Sequence, residues 1–176
     1  MQLATEFRVY VGTYAKYAAG SIAGQWLDLS DYADHEDFRA ACLEIHADEN
    51  DPEFMYQDFE GIPGQFITES WISPEVWEWI SLDDYERQIV VAYLALTSYT
   101  IGDLEGLENA KNQALDLYQG KYDSEADAAE EISSESLPND FPTWIIIDWE
   151  STWNCSLRFD HISGMINGEL WVFNNR

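Results

Sequence analysis

Negative charge runs evenly along this chain, and that uniformity constrains its fold more than any motif does. The sequence holds 34 Asp and Glu against 8 Lys and Arg, a net charge of −26. Residues 1–60, 61–120 and 121–176 carry net charges of −10, −8 and −8. An acidic tail would concentrate the charge at one end, and this chain does not. The pattern describes a folded body coated with negative charge from end to end. Such a coat repels itself at a cost in stability, so its presence calls for a reason.

The chain is not a disordered polyanion. Hydrophobic residues make up 46%, with eight Trp, ten Tyr and eight Phe, whereas disordered acidic chains are poor in aromatics. With 176 residues there is enough to bury a core, in one domain or a few small ones. Cys42 and Cys155 are far apart and fit no metal spacing, so they are expected as free thiols. No signal peptide is expected from the opening segment. The longest apolar run, Ile89 to Leu96, is too short to span a bilayer, and anionic headgroups would repel the coat. The expectation is a cytoplasmic protein without membrane partners.

Periodicity predicts an α+β chain. Phe7 to Val11 reads as a strand, followed by a Gly- and Ala-rich loop and a short strand Trp26 to Leu29. Asp34 is placed to cap a helix of about twelve residues with Phe38, Ala41, Cys42 and Ile45 on one face. Phe54 to Phe59 is a third strand. Ser73-Pro74-Glu75 starts a short helix with Val76, Trp77 and Ile80 as its apolar side. A helix from about Asp83 to Thr97 has Tyr85, Ile89, Tyr93 and Leu96 as its stripe. Asp103 is read as opening another helix, with Leu104, Leu107, Ala114 and Tyr118 inward, stopped by Gly120. Ser124 caps the next, with Asp127 at the capping-box position. Trp144 to Ile147 is read as a strand, Asp148 as the cap of a helix to about Phe159, and Leu170 to Phe173 as a strand after the Asn167-Gly168 turn. Three small domains follow: α+β over 1–62, helical over 63–121, and α+β over 122–176.

The sequence offers little for catalysis. His35, His46 and His161 have no zinc spacing and are expected at the surface or partly buried. Asp48-Glu49-Asn50-Asp51 resembles the start of a calcium loop but has Glu53 where the EF-hand needs Gly. Asp58 and Glu60 share a strand face, yet chance carboxylate pairs are inevitable among 34. No phosphate loop, dinucleotide fingerprint, nucleophile elbow or CxxC is present. No catalytic residue, metal or cofactor is expected. Charge alone leaves three readings open: imitation of nucleic-acid phosphates, solubility in brine, and other acidic interactions. At roughly one charge per 1.7 Å of duplex, this excess matches about 13 base pairs.

Several stretches, in order along nearly the whole chain, resemble the ArdA family of antirestriction proteins. They are Val9-Tyr10-Val11-Gly12-Thr13-Tyr14 with Gly20, Gly24 and Trp26-Leu27-Asp28-Leu29; Tyr56-Gln57-Asp58-Phe59-Glu60-Gly61; Leu117 to Ser124; Ile147-Asp148-Trp149-Glu150; and Gly168 to Asn174. Trp149 stands where Tyr is commoner in the family, and the loop Ser133 to Pro142 does not align with the resembling segments. The resemblance implies an elongated, curved chain of three small domains. It implies a homodimer encoded on mobile genetic elements, with carboxylates spaced like DNA phosphates. Such a protein occupies the DNA-binding groove of a type I restriction-modification enzyme, at its methyltransferase-specificity core, and itself binds no nucleic acid. The mimic surface would be drawn from Asp28, Asp31, Asp34, Glu36, Asp37, Glu44, Asp48, Glu49 and Asp51 in the first domain. The second would supply Glu69, Glu75, Glu78, Asp83, Asp84, Glu86, Asp103, Glu105, Glu108 and Asp116. The third would supply Asp123, Glu125, Asp127, Glu130 and Glu131. An acidic scaffold or chaperone for basic DNA-binding proteins is the alternative, and a carboxylate hydrolase comes third.

Overall fold

A computed structural model of the chain describes residues 6–134, 136–142 and 144–175. Its secondary structure is mixed helix and sheet, as expected, and it divides into two compact units meeting in sequence at Asp84 and Tyr85. Residues 63–84 therefore belong with the first unit and 85–121 with the second. The expected boundary at residue 121 falls inside a strand.

The first unit is built on a three-stranded antiparallel sheet. Its central strand is β1 (Arg8–Thr13), flanked by β2 (Gln25–Asp28) and β3 (Phe54–Glu60). Val9 and Val11 are buried on one face. On the other face Tyr10 meets Trp26 edge-on, and the Arg8 guanidinium lies over the Trp26 ring. The Gly- and Ala-rich stretch after β1 is not all loop. It begins with a short helix, α1 (Tyr14–Ala18), capped by Thr13, whose side chain accepts from the Lys16 amide.

Helix α2 (His35–Ile45) forms as the sequence specified. Asp34 is its cap, accepting from the Glu36 and Asp37 amides, and Glu36 and Asp37 sit in the first turn where the helix dipole favours negative charge. Phe38 and Cys42 are fully buried, and the Phe38 ring packs near Tyr56 of β3.

Two short pieces complete the unit. A hairpin joins β4 (Ile67–Thr68) to β5 (Trp71–Ile72). Helix α3 (Glu75–Ser81) follows. The Ser73 hydroxyl accepts from the Glu75 amide, so Ser73 acts at the start of α3 as its sequence suggested. The apolar side differs from expectation: Val76 and Trp79 are the buried residues, while Trp77 and Ile80 are only partly covered. Trp77 instead turns its indole N–H toward the Tyr32 carbonyl.

In the second unit the sheet order is β6 (Tyr118–Tyr122), β8 (Glu169–Asn174), β7 (His161–Ile166), all antiparallel. Strand β8 is central, and its alternation serves two cores. Leu170 and Val172 pack with Ala128 and Ala129 of α6 (Glu125–Ser134) and Trp153 of α7 (Trp149–Cys155). Phe173 faces Tyr118 and Tyr93, the latter on α4 (Asp84–Thr97). Gln113 of α5 (Leu107–Leu117) donates to the Tyr93 hydroxyl. A bulge in β6 reconciles the faces. Two residues of β6 span the step that Phe173 to Val172 takes on β8, which moves Tyr122 onto the Trp153 side. Gly120 adopts φ +148° there, a value glycine tolerates and L side chains resist.

Several expectations on this half need correction. The helix expected from Asp103 is a 3-10 turn (Gly102–Leu104) followed by α5, separated by Glu105 and Gly106 at positive φ. Gly120 is not a helix stop, because the helix ends at Leu117 and β6 begins at once. Tyr85, expected in the α4 stripe, is 59% exposed, while Arg87 is buried. Trp144 to Ile147 is not a strand; Trp144 is 80% and Ile146 94% exposed. An apolar run becomes a strand only where it pairs with a neighbour's backbone, and Trp144 to Ile147 pairs with none of the three strands of this sheet. The helix from Asp148 ends at Cys155, short of Phe159.

Candidate functional site

The candidate site is the acidic surface itself. None of the acids named above is buried; Asp28, Glu49, Glu75, Glu78 and Glu86 are partly covered and the others are exposed. Local rules explain many positions. Glu36 and Asp37, Glu75 and Glu78, Glu108, and Glu125 and Asp127 occupy first turns of helices, where an anion faces unsatisfied amides.

A subset has structural duties. Asp34 caps α2, and Asp28 accepts from the Ser30 amide. The Asp37 carboxylate accepts from the Ala33 amide. Asp103 accepts from the Thr100 hydroxyl and amide, which hold its carboxyl below the usual carboxylate range. The Asp127 carboxylate accepts a hydrogen bond from the Ser124 hydroxyl while its own amide donates to Ser124, a variant of the capping box fitted to the shorter side chain.

Asp48 and Glu49 converge with His46 on one lysine. The Lys16 ammonium lies 2.9 Å from Asp48 Oδ1, 3.3 Å from Glu49 Oε1 and 2.9 Å from His46 Nδ1. Thr13 Oγ1 donates to Glu49. Lysine has no acceptor, so His46 Nδ1 must accept, and Nε2 carries the proton it gives to the Val11 carbonyl. His46 is 1% exposed, against the expectation of a surface or partly buried residue. The His46, Asp48 and Glu49 ligand atoms lie within 4.8 Å of one another, as a metal group would. Lys16 supplies the positive charge among them. Its hydrogen bond to Asp48 is the main cause of a lowered Asp48 pKa and a raised Lys16 pKa.

The other basic residues are sparse. Arg8 pairs with Glu60 and Glu6, and Lys121 with Glu169. Arg39 makes no ion pair among the described residues. Both cysteines are free; burial pushes the Cys42 thiol up to about 12, and Cys155 is exposed. Trp153 is buried at 1%, whereas Met165 on β7 is 60% exposed. Among the described residues no helix is long and apolar enough to cross a membrane.

Sequence reasoning missed Lys16, because its partners lie at least 30 residues away and no local spacing marks them. It also passed over His35 and Arg39, whose i, i+4 spacing on α2 was readable.

The charged coat stays outside the core, and 8 basic residues against 34 acids leave most of it unneutralised. The antirestriction protein (ArdA) family profile matches residues 9–163, so the chain belongs to the ArdA family of antirestriction proteins. No match was found among curated proteins or among solved structures.

Proposed function

We propose that this chain is an inhibitor that imitates B-form DNA and blocks the DNA-binding groove of a type I restriction-modification enzyme. The observation that carries the reading is the placement of the acids: every one of the twenty-four named above lies outside the core, distributed over both units. Such a surface offers a groove lined by Arg and Lys what a duplex offers, many separate anions. The inhibitor works by occupancy, without catalysis. It acts in the cytoplasm, where its target enzyme meets incoming DNA.

The working form in this reading is a homodimer. One chain carries charge equivalent to about 13 base pairs, and a pair about 26, as a two-part recognition site requires. Sedimentation at physiological salt tests the pair; a monomer at micromolar concentration would remove it while leaving the mimic. The mimic is tested by competition. Labelled DNA bound to the methyltransferase-specificity core should be displaced by near-stoichiometric protein, and unmodified phage should plate efficiently on restricting cells that carry it. A ternary complex of core, DNA and this protein would overturn the competitive mechanism.

A further inference from the structure

One pocket has a lining in which only Glu53 is acidic. It encloses about 350 Å³ within the first unit. Helix α2 contributes His35 and Arg39, four residues apart and therefore on one face. Strand β3 contributes Phe54 and Tyr56, two apart and likewise on one face. Trp71 of β5 closes another side, and Glu53 lies at the β3 end. Trp71 is 50% exposed, and the His35 ring is held edge-on by Trp77 at 5.9 Å.

The chemistry of this lining is unlike the rest of the molecule. Arg39 is one of eight basic residues in the chain, and unlike Arg8, Lys16 and Lys121 it is not committed to a carboxylate among the described residues. A guanidinium presents a planar fork that matches a carboxylate with two parallel hydrogen bonds. Phe54, Tyr56 and Trp71 give flat apolar walls, on which an aromatic ring packs edge-on or offset. A few polar groups converging on an aromatic cleft is the usual composition of a small-ligand site. Glu53 sets a limit on charge, since a second negative charge on the ligand would face it.

We propose that this pocket binds a small aromatic monocarboxylate, with the carboxylate on Arg39 and the ring against Trp71 and Tyr56. The long-range field of the acidic coat opposes any anion, but it is screened over about 8 Å at physiological salt. The Arg39 contact is shorter than that. Affinity should therefore hold or rise between low and physiological salt, whereas binding of the acidic surface to a basic partner weakens. The two sites are separable by salt alone.

The test is an amide and indole NMR titration of the full chain with benzoate, and with benzamide as its uncharged counterpart. Saturable shifts should cluster at His35, Arg39, Tyr56 and the Trp71 indole, with benzamide at least about tenfold weaker, as loss of a charge-assisted bond implies. Arg39→Gln should weaken benzoate by a similar factor, and Trp71→Ala should weaken both ligands. Glu53→Gln, at an exposed position, should tighten benzoate and needs no change in the fold. Equal binding of benzamide and benzoate, an Arg39→Gln variant that binds benzoate normally, or shifts that never saturate would each overturn the proposal.

Discussion

At the scale of single residues, the contact most worth testing is Lys16 with Asp48. The folded Asp48 carboxyl titrates below its ordinary value, chiefly through the Lys16 hydrogen bond. A depressed carboxylate stabilises the fold above its unfolded pKa of about 4, and that contribution is lost as pH falls through the lower folded value. Lys16→Met should return the Asp48 side-chain carboxyl resonance to an ordinary titration midpoint, and should leave His46 Nδ1 without its donor. A carbon-detected NMR titration reads this directly; an unchanged Asp48 midpoint in the variant would show that Lys16 is not the cause. The cysteines supply a simpler check. A maleimide should label one thiol per native chain, Cys155, and two after denaturation, because Cys42 is buried with its thiol pushed up to about 12.

At the scale of elements, close backbone approach decides what the sheets tolerate. A methyl added at Gly24 would meet the Val11 carbonyl oxygen, which is backbone and cannot swing aside. Gly24→Ala should therefore cost roughly 1–3 kcal/mol, the usual range for overpacking. Gly64 has nothing within 4 Å of a built methyl and no positive φ, so Gly64→Ala should be neutral or slightly stabilising. Urea unfolding of the pair measures the contrast, and equal midpoints would contradict it.

The same scale explains what the sequence made legible. Helix α2 could be read because its cap, first-turn acids and buried Phe38 and Cys42 lie within twelve residues of one another. The β7–β8 turn was half legible. Asn167 and Gly168, both at positive φ, marked β8, but His161 to Ile166 contains Ser and Gly and reads as no strand until β8 pairs with it. Strand β6 hid inside a helical pattern that ran through Tyr118, because nothing local signals the bulge at Gly120. Trp144 to Ile147 failed in the opposite sense, with strand-like residues that no strand of the sheet pairs with. The acids were legible as surface because solvation alone places them. Which of them also hold the fold was less legible: Asp103 bonds to Thr100 only three residues away, but Asp48 depends on Lys16, 32 residues away.

At the scale of the whole molecule, the charge of −26 sets two opposed salt responses. The free protein is destabilised by its own repulsion, so added salt should raise its melting temperature as the field is screened. Its hold on a basic groove rests on the same field acting between partners, so added salt should weaken inhibition. The energy of that hold should be spread widely. One exposed ion pair contributes about 0–1 kcal/mol, so Asp31→Asn, Glu105→Gln or Glu130→Gln, each at an exposed position, should change the inhibition constant only slightly. Neutralising eight or more acids in one unit, chosen outside the caps and the Lys16 cluster, should abolish inhibition while making the free fold more stable, because fewer like charges remain. The salt slope of inhibition should fall with each block removed. Inhibition constants and melting temperatures for single and block variants, at two salt concentrations, measure all of this. A single substitution that destroyed inhibition and left the melting temperature unchanged would locate the energy in one site and end the distributed reading.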